Sequence, residues 1–141
     1  MLEHVTFGLA YGAYVLLCAQ AILHLRGSGP RWLSLLLAAT ATTHVALVWQ
    51  NSFAWSLTYA WSENPAAFLI FHTALALIVS AALSPAPWSA RCIWIAWPIV
   101  TLGALGAVLP REVVAHYFWP VVAACGVTLV VGAGLVARRK V

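Results

Sequence analysis

The sequence predicts an all-α, polytopic membrane protein with five transmembrane helices, its N-terminus outside and its C-terminus cytoplasmic. Three observations predict it. The chain has 141 residues, of which 64% are hydrophobic and only 7% charged, whereas a soluble domain carries about a quarter charged residues. The charges divide the chain into uncharged stretches at 4–25, 32–62, 64–90, 92–110 and 113–137, each long enough for the roughly 20 apolar residues that cross a bilayer. Finally, Arg26, Arg31, Arg91, Arg138, Arg139 and Lys140 fall on one side of that topology and only Arg111 on the other, so the positive side is cytoplasmic. Backbone groups in lipid must be satisfied within the segment, and the Leu, Ala and Val runs lack the strict alternation of a barrel strand.

The first helix is expected from about Val5 to Leu25, ending at the breaker cluster Gly27-Ser28-Gly29-Pro30. A cleaved signal peptide is the competing reading, but no basic residue precedes the apolar run and the run is long for a signal core. The second helix begins near Trp32 and reaches the outer surface around Gln50-Asn51. From Ser52 to Trp61 the large residues Phe53, Trp55, Leu57, Tyr59 and Trp61 fall on odd positions, which predicts an extended or interfacial segment at the depth Trp and Tyr favour. The third helix starts with Asn64 as cap and Pro65 in the first helical position, and it ends at Ser84-Pro85. A cytoplasmic loop, 85–91, leads to a fourth helix from about Trp88 to Leu109, with a bend at Pro98. Pro110 opens the fifth, where Glu112 suits the positive end of the helix dipole. Pro120 interrupts that helix by removing the bond to the His116 carbonyl. Ala38, Ala39, Thr42 and Thr43 read as a close-packing face of the second helix. The whole is one bundle.

Five histidines in so apolar a chain are the main chemical clue. At a rise of about 1.5 Å per residue, His44 lies roughly 12 Å and His72 roughly 10 Å below the outer surface. Neutral imidazoles facing each other at one depth on antiparallel helices are what a six-coordinate heme b requires. His44 and His72 are therefore the candidate heme-iron ligands, and His116, also near the outer side, is a further cofactor-binding candidate. His4 belongs to the outer end and His24 to the cytoplasmic face beside Arg26. The plainer reading is that such histidines hydrogen-bond neighbouring helices.

Of the eight tryptophans, Trp49, Trp55, Trp61 and Trp119 are outer and Trp32 and Trp88 inner, as in two aromatic belts; the outer group also offers stacking surfaces for heme or a quinone headgroup. Cys18, Cys92 and Cys125 stand alone without a Cys-x-x-Cys and read as packing residues. Glu63 and Glu112 lie outside the apolar spans, so no intramembrane acid serves a proton relay. No phosphate loop, Ser/His/Asp set or metal-spaced Cys/His cluster appears.

The stretch Ala41-Thr42-Thr43-His44-Val45-Ala46-Leu47 resembles the second helix of the cytochrome c assembly membrane proteins, a heme-handling and heme-lyase superfamily. Trp97-Pro98-Ile99-Val100, Leu109-Pro110-Arg111-Glu112 and His116 are similar to the same proteins further on, and 51–65 to a periplasmic loop of their larger members. The resemblance covers the N-terminal part of such a protein and omits its Trp-rich heme-presenting motif. It implies a small protein of a redox or cytochrome-maturation system, handling heme or quinone near the outer face of a bacterial-type inner membrane. The alternative expectation is a cofactor-free accessory subunit of a respiratory or photosynthetic complex. A small-molecule transporter ranks below both. The partners expected are the lipid bilayer and other membrane subunits or a homo-oligomer, with no nucleic acid.

Overall fold

A computed structural model describes residues 2–108 and 116–138. The described residues form six helices and no strand: α1 (Leu2–Leu25), α2 (Arg31–Ser52), α3 (Leu57–Glu63), α4 (Pro65–Leu83), α5 (Ala86–Val108) and α6 (Phe118–Arg138). All but α3 are long and apolar enough to cross a membrane.

The helix ends follow local chemistry. Gly27 adopts φ +74°, and the Ser28 and Gly27 amides donate to the Leu23 and His24 carbonyls at 3.0 Å each. This is a Schellman ending, which needs a left-handed residue and so favours glycine. At α4, Asn64 Oδ1 accepts from the Ala67 amide at 2.9 Å and Pro65 fills the first position, as the sequence predicts.

Three expectations change. Of the extended or interfacial segment expected between Ser52 and Trp61, the extended form is not what the chain adopts: Ser56 accepts from the Tyr59 amide and starts the helix α3. The alternating aromatics do not make a strand because the Ser56 and Asn64 caps delimit a short helix first. The loop expected over 85–91 is shorter, since α5 begins at Ala86 and carries Arg91 in its second turn, with the guanidinium 4.8 Å from the Trp88 ring centre. Pro120 does not interrupt a helix. It lies in the first turn of α6, which starts at Phe118, where a missing N–H loses no partner. The expected start at Pro110 and Glu112 lies outside the described residues. α5 does run through Pro98.

α1 is the hub, packing against α2, α5 and α6, while α4 packs on α2 and α5 and α6 lies in the α1–α5 groove. Tyr14, Leu17, Cys18 and Ala21 of α1 meet Leu37 and Ala41 of α2, Ile93, Ala96 and Trp97 of α5 and Val121 of α6 in one core. Two polar pairs cross its α1–α5 seam. Trp97 Nε1 donates to Cys18 Sγ at 3.3 Å, and Tyr14 and Thr101 hydroxyls meet at 3.0 Å. Because Thr101 donates to its own-turn Trp97 carbonyl at 2.8 Å, the Tyr14 hydroxyl is the donor to Thr101. α2 meets α1 through Ser34, Leu37 and Ala41, so Ala39, Thr42 and Thr43 face outward, contrary to the close-packing role expected of them. The outside of the bundle is as apolar as its centre: Leu83, Leu102 and Val130 are 69%, 72% and 74% exposed. Such helices, apolar all round, suit a lipid environment.

Candidate functional site

At the end of the bundle that holds α3, the histidines are built into separate seams. His44 Nδ1–H donates to the Thr6 carbonyl of α1 at 2.9 Å. His72 Nδ1–H donates to the Phe68 carbonyl one turn earlier at 2.7 Å, leaving its Nε2 lone pair to accept from Trp49 Nε1–H at 3.1 Å. One neutral tautomer satisfies both bonds, so both nitrogens of His72 are engaged. Trp49 is five residues beyond His44 on α2, about 140° further round the helix. His44 therefore faces α1 while His72 sits on the side of α2 that meets α4. Depth matching along the sequence says nothing about azimuth, and the azimuths diverge.

Trp49 is the centre of an aromatic group. Its ring stacks on Trp55 at 6.1 Å, meets Phe53 at 6.0 Å, Phe68 at 6.2 Å and His72 at 5.7 Å, while Phe68 stacks on His72 at 4.1 Å. These faces cover one another. His116 is elsewhere, exposed before α6 with its ring 4.2 Å from Tyr117, and His4 is exposed near the start of α1. A crevice of about 460 Å³ among Leu25, Trp94, Trp97, Thr128, Leu129 and Gly132 includes no histidine in its wall. The His44–His72 pair thus does not fit a bis-imidazole heme in this arrangement: the rings face different seams, and His72 has no free nitrogen.

The opposite end holds a polar cluster that the sequence reading missed. Gln20 is fully buried, and Ser34 and Ser89 are nearly so. Gln20 Nε2 donates to Ser34 Oγ at 2.6 Å and approaches His24 Nε2 at 3.3 Å and the Pro30 carbonyl at 3.5 Å. Ser89 Oγ lies 3.4 Å from the same His24 nitrogen. The imidazole rests on Gly29, where a Cβ would come within 2.5 Å of ring atoms Cε1 and Nδ1; only glycine permits that approach. Gln20 Oε1 has no hydrogen-bond partner, an uncommon state for a buried polar atom. Beside the cluster lies a cavity of about 260 Å³ bounded by His24, Gly29, Arg31, Ser34, Ala86 and Ser89 among others. Gln20 and His24 share a face of α1 at i, i+4, and an amide inside an apolar span is itself a signal. The serines, 14 and 65 residues from their partners, carry no local signal.

No protein-family model, curated protein or solved structure matches this chain.

Proposed function

We propose that the chain is a five-span protein of a bacterial-type inner membrane, N-terminus outside and C-terminus cytoplasmic, acting as a cofactor-free accessory subunit of a larger respiratory or photosynthetic complex. The observation that carries this reading is the use of the outer imidazoles as helix fasteners: His44 ties α2 to α1, and the Trp49–His72 bond ties α2 to α4. In lipid, cross-helix hydrogen bonds of this type hold bundles together at about 0.6 kcal/mol each. The apolar exterior supports contact with lipid or neighbouring subunits. The rival reading, heme or quinone handling at His44, His72 and His116, requires His72 to release Trp49 and both rings to turn toward a common centre.

Visible spectra separate the two. The protein purified in mild detergent is expected to show no Soret band, and His44→Ala and His72→Ala should leave its spectrum unchanged. A Soret band in the parent that either substitution abolishes would overturn the accessory reading. On native gels of gently solubilised membranes, the chain should run within a complex much larger than its own micelle; migration as a monomer counts equally against it.

A further inference from the structure

We infer that the cavity beside His24 is a binding site for a phosphate group presented at the membrane surface. The inference rests on the membrane reading above, which sets this end of the bundle at headgroup depth. Four features combine there.

The first is charge. Arg31 bounds the cavity, and Arg26 and Arg91 lie at the same end, whereas the described carboxylate-bearing positions, Glu3 and Glu63, are at the other. Arg91 is occupied over the Trp88 ring, and Arg26 is outside the cavity wall, so Arg31 is the cation available to it. A planar guanidinium is suited to phosphate oxygens.

The second is backbone polarity. The first turns of α2 and α5 both border the cavity through Arg31, Ser34, Ala86 and Ser89. α2 has no side-chain cap, and neither helix has an acid in its first turn. The Leu33 amide returns to the Pro30 carbonyl, those of Trp88 and Ser89 return to Pro85, and Pro87 has no N–H, so the Arg31, Trp32 and Ala86 amides are the ones left to face an anion. The carbonyl ends of α1 and α4 are also near, which would cancel this in an open structure. At α1 this is reduced, because the Leu23 and His24 carbonyls accept from Ser28 and Gly27, which leaves the end of α4 opposing the two amide ends.

The third is the polar wall. Ser34 accepts from Gln20, which leaves its own hydroxyl hydrogen free to donate, and Ser89 supplies a second hydroxyl. The fourth is the unpartnered Gln20 Oε1. The network holding both cavity residues Ser34 and His24 is one donor short, as expected where a hydrated polar ligand completes it. Gln20 itself lies behind the cavity wall, so a buried water between Oε1 and the cavity, rather than the ligand directly, would supply that donor.

Two sources present such a group: an anionic lipid headgroup and free phosphate. Full-length protein is reconstituted in phosphatidylcholine nanodiscs with 10 mol% phosphatidylglycerol, released, and examined for retained lipid by native mass spectrometry. One phosphatidylglycerol should be retained per chain in preference to phosphatidylcholine. Arg31→Gln should lower that preference at least tenfold and Ser34→Ala with Ser89→Ala several-fold, with Arg31→Lys intermediate. Arg26→Gln, outside the wall, should leave it unchanged. Addition of inorganic phosphate to lipid-stripped protein, read by amide shifts at Arg31 and Ser89, identifies the free anion as the source if it saturates and the lipid if it does not. Equal losses in Arg26→Gln and Arg31→Gln, or no lipid preference in the parent together with no saturation by phosphate, would overturn the site in favour of general attraction to a basic surface. Helical content by circular dichroism confirms that each variant is folded. Alkaline carbonate extraction tests the membrane reading separately, since a chain stripped from the bilayer fails there first.

Discussion

At the scale of single residues, Trp49 links the two roles given to the outer end. Its indole N–H satisfies His72, and its ring carries the contacts to Phe53, Trp55 and Phe68. The two contributions are separable. Trp49→Phe keeps an aromatic ring but removes the donor, and should lower stability by about 0.6 kcal/mol, the usual worth of a cross-helix bond in a bundle. Trp49→Ala also removes a large packed ring and should cost about 3 kcal/mol or more. Unfolding in mixed micelles checks both, and equal losses would show that the bond contributes nothing separate. The chemistry-bearing residues were partly legible. His44, His72 and His24 stand out in any apolar sequence, and their depth follows from counting. Their partners do not: Thr6 contributes a backbone carbonyl, which every residue has, and Ser89 is distant along the chain from His24. Polar pairs across helices depend on rotation about each axis, and that is set by packing of residues such as Leu37 and Ile93 rather than by the histidines.

At the scale of elements, the five long helices and most of their ends were legible because each is set locally. Lack of charge gives the spans, Gly27 gives the end of α1, and Asn64-Pro65 gives the start of α4. The α2–α3 turn was not. Ala54 and Trp55 adopt φ +46° and +60°, a conformation that costs a non-glycine residue about 1–2 kcal/mol. No Gly or Asn marks the place, so no turn signal exists to read. Stacking of Trp55 on Trp49 and the Trp55 amide donating to the Trp49 carbonyl at 3.2 Å hold the turn despite that cost. Ala54→Gly relieves one left-handed residue, and part of the gain is lost to the freedom glycine adds to the unfolded chain. The variant should be more stable by about 0.5–1 kcal/mol in the same unfolding assay. A loss of stability would show that the turn is not left-handed at Ala54. Pro120 teaches a related lesson. A proline inside a periodic apolar run reads as a break, but here the helix simply starts at Phe118, two residues before it.

At the scale of the molecule, the antiparallel hairpins α1–α2 and α4–α5 put their connections at the same end, which gathers Arg26, Arg31 and Arg91 together. Glu63, at the C-terminus of α3, lies at the opposite end with the exposed rings of Trp55, Tyr59 and Trp61. A bundle with this asymmetry has one favoured orientation, because short basic connections are retained on the cytoplasmic side while an aromatic, nearly uncharged end crosses at little cost. On the proposed five-span topology, the start of α1 and the end of α6 lie on opposite sides. A reporter fused after Val141 should be cytoplasmic, and a cysteine introduced at Ser62, in a background with Cys18, Cys92 and Cys125 replaced, should react with an impermeant maleimide added outside intact cells. The orientation is held by few charges, so it should also be alterable. Arg26→Gln, Arg31→Gln and Arg91→Gln together remove the basic residues in and beside the two hairpin connections and leave only the C-terminal group to set direction. Mixed labelling at residue 62 in that triple variant is the expected result. Reaction of the parent's Ser62→Cys solely from the cytoplasmic side would reverse the topology, and with it the headgroup depth assigned to the Arg31 cavity.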